Sequence, residues 1–233
     1  MHFLWKFLKW AAIAVGGLVV LVVAFVGAFY LHDPLYAQRL LALRKPATVT
    51  DVDRYSPLEA VPGTERNDLE PVAAGSATIS PEALAEATSY ADETKSVALL
   101  VWRDGALELE KYWPGYGPDT RTDTASMHKT VLGLLTGAAI ADGHIPSVDE
   151  PAARWLTEWQ DEAHKRIKVR DLLQMSSGLE LLPFSMNPLS RSSRSYLGTD
   201  LTGLALSLAA AEPPGQVFEY ANMNSQLLGT IVQ

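Results

Sequence analysis

An uncharged run of apolar residues near the N-terminus constrains this chain more than any other feature of its sequence. Residues 11–31 read AAIAVGGLVVLVVAFVGAFYL and contain no charged side chain. At a rise of 1.5 Å per residue, a helix of this length reaches about 30 Å, the thickness of the hydrocarbon core of a bilayer. The run has no polar face, which argues against a core helix of a soluble domain. The sequence therefore predicts one transmembrane helix over residues 11–31.

The residues that flank this run indicate its orientation. Two lysines precede it, with aromatic residues at both ends: Lys6, Lys9, Trp5, Trp10 and Tyr30. Positive charge marks the cytoplasmic side of a span, and aromatic side chains favour the interfaces. We therefore expect residues 1–10 in the cytoplasm, an uncleaved signal anchor, and the remaining domain in the periplasm or outside the cell. A cleaved signal peptide is the alternative, because residues 26–28 are small, but its apolar region would be unusually long.

Charge and composition narrow the classes of function. The net charge of -8 and the pI of about 5.1, without a basic stripe, argue against nucleic acid as a partner. The chain has no cysteine, which excludes disulfides, thiolate catalysis and cysteine zinc sites. Its five histidines are scattered without a metal-ligand spacing. We therefore predict no metal and no cofactor.

Beyond the apolar run, the sequence divides into two parts. Residues 32–79 are predicted to be a juxtamembrane segment and a linker, because several prolines interrupt them and no apolar periodicity runs through them. This linker is either a tether or an arm loosely wrapped on the domain. Residues 80–233 are predicted to be a folded domain with both helices and strands. The chain has room for one ordinary domain after its leader, or for part of a larger one.

Local signals place the elements of that domain. Ser80-Pro81 is typical of a helix start, with serine as N-cap and proline in the first turn. Arg103-Asp104-Gly105 lies between two apolar stretches and predicts a β-hairpin. A short helix is expected over residues 169–174, a surface loop over 181–199, and a helix over 201–211 that ends at Pro213-Pro214-Gly215.

A serine and a lysine three residues apart, Ser126 and Lys129, open an apolar helix predicted over residues 126–142. This spacing is close to one helical turn, so both side chains lie on one face. A serine hydroxyl needs a base to become nucleophilic, and an amine in a dry pocket can serve as that base. His128 points away from Ser126 on such a helix. Because residues 130–141 are apolar all round, we expect this helix to be buried centrally.

A tyrosine and an asparagine, Tyr220 and Asn222, follow the Pro-Pro-Gly break and precede a last helix. A tyrosine becomes an effective base when neighbouring positive charge lowers its pKa. An asparagine can accept a hydrogen bond from lysine and donate one to a substrate carbonyl. Taken alone, the pair is more often an interface tyrosine and a helix-capping asparagine. Ser177 is a second serine beside a glycine, but it lacks the G-x-S-x-G turn of α/β-hydrolases.

Together these motifs resemble those of the penicillin-recognising serine hydrolases, in their class C β-lactamase-like branch. That branch includes D-alanyl-D-alanine carboxypeptidases, esterases and 6-aminohexanoate-dimer hydrolases. The segment ALLVWRDGALELEKYW resembles the opening hairpin of the family, VRDLLQMSSGLE its "LLxHTSGL" segment, and PPGQVFEYANMNSQLLG its "PGxxFxYSNxxYxLLG" segment. The likeness covers about residues 81–233. It implies an α+β fold in which helices flank an antiparallel sheet, with a helical subdomain.

The resemblance also implies a role for each of the four residues. Ser126 attacks an ester or amide carbonyl and becomes acylated, and Lys129 takes or steers its proton. Tyr220 relays the proton to the leaving group and then helps to activate the deacylating water, while Asn222 orients Lys129 or the substrate. The family's third motif, Lys/His-x-Gly on a late strand, is absent from this sequence. We therefore expect a C-terminally truncated domain with little or no hydrolase activity by itself.

Three hypotheses of function follow. The first is a membrane-anchored serine hydrolase that cleaves small amides or esters through an acyl-serine intermediate. The second is an inactive β-lactamase-like protein that binds or senses cell-wall fragments. The third is a structural membrane protein in which Ser126 and Lys129 only begin a helix. The sequence does not identify the natural substrate or the oligomeric state.

Overall fold

The computed structural model describes residues 2–42, 48–62, 69–73, 75–185 and 187–233. The α-helices are α1 (His2–His32), α2 (Pro34–Ala42), α3 (Pro81–Glu93), α4 (His128–Ala141), α5 (Val169–Leu173), α6 (Arg191–Leu197), α7 (Leu201–Leu206) and α8 (Asn222–Val232). The strands are β1 (Ala98–Arg103) and β2 (Ala106–Tyr112). This mixture of helices with a small antiparallel sheet confirms the predicted α+β class. The described residues form two compact units, one within Met1–Ala47 and Thr124–Gln233, the other within Thr48–Asp123.

α1 contains the predicted membrane segment and extends it at both ends. The stretch Val15–His32 has a mean hydropathy of 2.2, and none of it is buried against the protein. By length and composition this helix can cross a membrane. A helix of the same composition inside a soluble domain would have a covered face, and this stretch has none. The orientation and cellular location predicted for it stay predictions.

A single residue, Asp33, separates α2 from α1, and α2 packs against α6 within the first unit. Asp33 caps it, since its carboxylate Oδ1 accepts from the backbone N–H of Tyr36 at 2.9 Å. Tyr36 is buried, and its hydroxyl donates to the carbonyl of Pro188. Arg39 donates to the carbonyls of Leu197 and Gly198, each at 3.1 Å. The part of the predicted linker nearest α1 is therefore a helix attached to α6.

The second unit consists of an arm, α3 and the hairpin. The Ser80 hydroxyl accepts from the N–H of Ala83 at 3.2 Å, as the predicted N-cap requires. β1 and β2 pair antiparallel, and Asp104 and Gly105 between them both have positive φ, as the predicted two-residue turn demands. The arm joins β2, because the Leu107 N–H donates to the Glu70 carbonyl at 2.8 Å. Residues 63–68 and 74 of the predicted linker lie outside the described residues, as do residues 43–47.

Among the described residues, the first unit has one apolar core, to which α8 contributes four large side chains, Met223, Leu227, Leu228 and Ile231. α8 packs against α4, α5 and α7. The remaining large buried core residues come from the segments between and within these helices: Ile145, Leu156, Trp159, Ile167, Val169, Leu172, Leu179 and Leu208. Because α8 contacts three other helices, its first residue, Asn222, has a defined position in the unit.

The structure differs from the sequence-based expectations in three helices. α6 lies inside the predicted surface loop, whose residue 186 is outside the described residues. α7 ends at Leu206 instead of continuing to residue 211. The expected central burial of α4 is not found, because Val131, Leu134 and Leu135 are 57%, 70% and 53% exposed. Only one side of α4 is covered, with Leu132, Ala139 and Ile140 packed on the core.

Candidate active site

Ser126 lies in a tight turn at the beginning of α4. The turn is a 3-10 helix over Ala125–Met127, and the regular α-helix starts at His128. Ala125 has a φ of 44°, in the left-handed region that non-glycine residues rarely adopt. Such backbone strain costs about 1–3 kcal/mol and persists where the surrounding fold imposes it. The chain thus presents the serine at the N-terminal end of α4, where the helix dipole favours negative charge.

A network of backbone hydrogen bonds joins the Ser-Ser-Gly segment to the Pro-Pro-Gly turn. The carbonyl of Gly178 accepts from the N–H groups of Ala211 and Glu212, both at 2.9 Å. Further along, Gly215 donates to the Ser176 carbonyl at 2.7 Å, and Glu219 donates to the Met175 carbonyl at 2.9 Å. These bonds fix the path of the chain up to the residue before Tyr220. They bring the second motif to the N-terminal end of α4.

Gly178 is required for this pairing. Its φ of +70° is in the region that glycine adopts without strain. A Cβ at this position would lie 2.1 Å from the carbonyl oxygen of Glu212, which is part of the backbone and cannot rotate away. The glycine of the segment VRDLLQMSSGLE therefore has a steric reason to be glycine.

Lys129 lies at the centre of the four residues that the sequence singled out. Its Nζ is 3.2 Å from the Ser126 Oγ and 3.0 Å from the Asn222 Oδ1. The same nitrogen lies 5.2 Å from the centre of the Tyr220 ring. The structure thus brings a hydroxyl, an amine, a phenol and a carboxamide together. Asn222 is not a helix cap here, because it is the first residue of α8 and its side chain contacts Lys129.

The phenol of Tyr220 is electrostatically coupled to its neighbours. A hydrogen bond with Ser126 lowers the pKa of Tyr220, and a hydrogen bond and positive charge from Lys129 lower it further. Partial burial acts in the opposite direction on this pKa and is outweighed. The Tyr220 side chain is 53% exposed and Ser126 is also exposed, so both can meet a substrate from solvent. This arrangement can accept and return a proton at the serine oxygen.

Two polar residues near the motifs have structural contacts instead. The ring Nδ1 of His128 is hydrogen-bonded to the carbonyl of Ala125, within the turn that carries Ser126. The hydroxyl of Ser177 is buried and donates to the Asn224 Oδ1 at 2.6 Å. Ser177 is thus inaccessible as a nucleophile. Among the described residues, no group of three or more His, Cys, Asp or Glu side chains could hold a metal ion.

The sequence did not single out Tyr196, which the structure places beside the site. Its hydroxyl oxygen accepts from the Asn222 Nδ2 at 3.3 Å. Tyr196, Tyr220 and Asn222 also line a cavity of about 90 Å³, together with Leu182 and Met223. The only signal for Tyr196 in the sequence was an aromatic residue in a serine-rich segment, which does not predict proximity to a motif 24 residues later.

Comparison with known proteins gives a consistent result. The family model "Beta-lactamase" matches residues 52–233. A Bacteroides dorei DSM 17855 protein that is named as a beta-lactamase is 27% identical, over 64% of this chain and 44% of its own, with a TM-score of 0.51. A Bacillus anthracis protein assigned by name to the 6-aminohexanoate-dimer hydrolases is 20% identical, over 62% and 41%, with a TM-score of 0.53. This chain therefore spans less than half of the length of either protein. No curated protein matches it significantly.

Proposed function

Because the chain belongs to the beta-lactamase family, we propose that it is a membrane-anchored serine hydrolase. It cleaves small amide or ester substrates through an acyl-serine intermediate. The observation that carries this proposal is the position of the Lys129 Nζ, within hydrogen-bonding distance of both Ser126 and Asn222. A lysine that only begins a helix has no reason to meet a residue 93 positions later in the chain.

Acylation begins with the Ser126 oxygen, which attacks the carbonyl carbon of the substrate. Lys129 lies close enough to accept the serine proton or to steer it to the Tyr220 oxygen. The tetrahedral intermediate then collapses, and the leaving amine or alcohol takes the proton from Tyr220. The backbone N–H of Ser126, at the N-terminal end of α4, supplies one donor to the developing oxyanion. One such donor contributes about 2.7–4 kcal/mol to the stability of a transition state.

Deacylation uses the same groups in the reverse order. Tyr220, with its lowered pKa, takes a proton from a water molecule that attacks the acyl-serine carbon. The Ser126 oxygen leaves and recovers a proton from Tyr220, and the product is a carboxylic acid. Asn222 keeps Lys129 in place through both halves of the cycle, since its Oδ1 is 3.0 Å from the lysine nitrogen.

The exposed apolar helix α1 supports membrane anchoring. A water-soluble enzyme that exposed the stretch Val15–His32, with a mean hydropathy of 2.2, would be prone to aggregation. A bilayer covers that surface and leaves the residues that follow the span on one side. We propose that the catalytic residues face the periplasm or the outside of the cell, because positively charged residues precede the span.

Covalent labelling of the complete gene product in detergent micelles tests the proposal. A fluorophosphonate probe and a fluorescent penicillin would be incubated with the wild type, with Ser126→Ala and with Ser177→Ala. We expect a stoichiometric adduct in intact mass spectra of the wild type and of Ser177→Ala, and no adduct in Ser126→Ala. Ser177→Ala is the matched control, because it removes a serine hydroxyl from the same unit of the fold.

Two outcomes would overturn the proposal. Labelling that persists in Ser126→Ala would place the nucleophile elsewhere in the protein. A folded wild type that forms no adduct with either probe would favour the second hypothesis, an inactive protein that binds cell-wall fragments without acyl chemistry. Circular dichroism of each variant separates these outcomes from simple unfolding.

A further inference from the structure

Both ends of the Asn222 carboxamide form hydrogen bonds with other side chains. Its Oδ1 accepts from the Lys129 Nζ at 3.0 Å, and its Nδ2 donates to the Tyr196 hydroxyl oxygen at 3.3 Å. Tyr196 is on α6, inside a segment whose sequence gave no indication of a role in the site. The carboxamide therefore connects α6 to the lysine beside Ser126.

The two ends of a carboxamide have nearly the same shape but opposite hydrogen-bonding character. The oxygen only accepts and the NH₂ group only donates, whereas a lysine side chain has donors and no acceptor when protonated. If the Asn222 side chain rotated by half a turn, its NH₂ group would face Lys129 and the hydrogen bond would be lost. On the other side of Asn222, the Tyr196 hydroxyl accepts from the NH₂ group at 3.3 Å and ties down the far end of the carboxamide. A hydroxyl can accept or donate, so Lys129 sets which end of the carboxamide faces it, and Tyr196 limits how far the carboxamide can move.

We propose that Tyr196 is a positioning residue that holds the Asn222 carboxamide in place, and through it the position of Lys129. This inference rests on the proposed function, because it concerns the same site. Tyr196 acts through Asn222 and takes no proton from the substrate. Its effect is to keep the lysine nitrogen within reach of the Ser126 oxygen.

Contacts on α6 hold Tyr196 itself in place. Its ring meets the ring of Phe184 edge to face, with 6.4 Å between the two centres. The carbonyls of Leu197 and Gly198, directly after Tyr196, accept from the Arg39 guanidinium of α2. α6 is thus attached to the juxtamembrane helix α2 on one side and to Asn222 on the other. The ring contact with Phe184 and the anchored backbone after Tyr196 together limit the movement of the Tyr196 hydroxyl.

The neighbouring cavity defines which variant tests the proposal. Tyr196 also lines the space of about 90 Å³ beside Tyr220, whose volume corresponds to roughly three water molecules. Truncating Tyr196 to alanine would open this cavity and alter substrate binding as well as the hydrogen bond. Tyr196→Phe keeps the ring and the wall of the cavity and removes only the hydroxyl.

A double-mutant cycle with Asn222→Leu tests whether Tyr196 acts through the carboxamide. In the Asn222 background, Tyr196→Phe is expected to lower kcat for a nitrophenyl ester about 3–10-fold, the range for loss of one neutral hydrogen bond. The KM is expected to change less than about twofold, because the cavity wall is intact. In the Asn222→Leu background, Tyr196→Phe is expected to change kcat less than about twofold. A leucine of similar size has no polar group for the Tyr196 hydroxyl to hold.

The outcomes separate this inference from the proposed function. Failure of the wild type to acylate at Ser126 would refute the proposed function itself. If the wild type is acylated, equal kcat values for the wild type and Tyr196→Phe would refute the role of Tyr196. An equal loss of kcat in both backgrounds would also refute it, because Tyr196 would then act independently of Asn222.

A measurement without turnover covers the case in which Asn222→Leu is too slow to assay. The side-chain amide resonances of Asn222 are identified by their absence from Asn222→Leu. They are expected to shift in Tyr196→Phe and to stay unchanged in Tyr90→Phe, which removes the hydroxyl of an exposed tyrosine on α3. Unchanged Asn222 resonances in Tyr196→Phe would overturn the inference.

Discussion

Two asparagines on α8 show how the same residue type takes on opposite roles. Asn224 is 2% exposed, and its Oδ1 accepts from the buried hydroxyl of Ser177 at 2.6 Å. Asn222 is only half-buried and contacts Lys129 and Tyr196. Two positions along a helix turn about 200°, so the two side chains leave α8 on nearly opposite sides. One lies in the core and the other at the site.

The difference between the two clusters lies in their neighbours and their access to solvent. Ser177 and Asn224 satisfy one another and have no titratable group in their hydrogen bond. Ser126 is exposed and lies next to an amine, and the pKa of the phenol beside it is lowered. A serine near an asparagine therefore has only a structural role where both side chains are buried away from solvent. It can take part in chemistry where it is exposed to substrate and lies next to a group that can accept its proton. Three measurements test this contrast between the two clusters.

The largest effect is expected from Lys129→Met, which removes the amine from the exposed cluster. Proton transfer by a positioned side chain contributes about 10²–10⁴-fold to a rate, so the acylation rate of Ser126 should fall by that factor. The rate of probe attachment measures it. The matched control is Lys168→Met, because the amine of Lys168 pairs with Asp149 at 3.5 Å in the same unit. A loss below about tenfold in Lys129→Met would remove the lysine from the mechanism.

The second effect concerns the buried cluster and should appear in stability instead. Ser177→Ala leaves the Asn224 oxygen buried without its hydroxyl partner, which costs about 1–3 kcal/mol of unfolding free energy. Urea unfolding in micelles measures this loss, and the acylation rate of the folded protein should stay unchanged. Asn224→Leu in the Ser177→Ala background should recover part of the stability, because both polar groups are then gone. A slower acylation in folded Ser177→Ala would contradict the separation of the two clusters.

The smallest effect is a pair of opposite pKa shifts in two tyrosines. Hydrogen bonding to Ser126 lowers the pKa of Tyr220 below 10.0, whereas burial raises the pKa of Tyr36 above 10.0. As the pH rises, Tyr220 should therefore ionise before an ordinary tyrosine and Tyr36 after it. Ultraviolet titration shows this, with each residue isolated as the difference between the wild type and its Tyr→Phe variant.

Serine substitutions provide the controls for this titration. Ser126→Ala removes the main cause of the lowered pKa, so the midpoint of Tyr220 should rise towards 10.0. Ser177→Ala should leave that midpoint where it is, because its hydroxyl belongs to the buried cluster. A Tyr220 midpoint at or above that of an ordinary tyrosine would show that the phenol is not coupled to Ser126.

Short-range rules predicted the elements whose causes are local. The N-cap of α3 and the turn of the hairpin follow from residues within four positions of one another, and both have the expected geometry. The membrane-length helix follows from hydropathy alone, and the family was predicted from motifs that lie within residues 52–233, the range that the family model matches. The spacing of Ser126 and Lys129 on one turn also needed no tertiary information, because helix geometry determines it.

Segments that depend on distant partners were predicted less well. α6 forms in a serine-rich stretch of low helix propensity, where Arg39 and Tyr36 of α2 provide hydrogen bonds from more than 150 residues away. α7 ends early because the chain beyond it pairs with another segment, the Leu179–Ala210 bridge. The apolar composition of α4 predicted burial all round, but only one side of that helix packs on the core.

The groups that this protein has for chemistry could be predicted from its sequence: an alcohol, an amine and a phenol in motifs that resemble those of a known family, after an apolar helix of membrane length. The tertiary structure decided which of its serines is accessible, which face of Asn222 meets Lys129, and that Tyr196 lies beside them. The physical reason is the distance along the chain over which each kind of interaction acts. Helix and turn preferences act over a few residues, whereas the orientation of one amide depends on partners that only the packing of α4, α6 and α8 brings together.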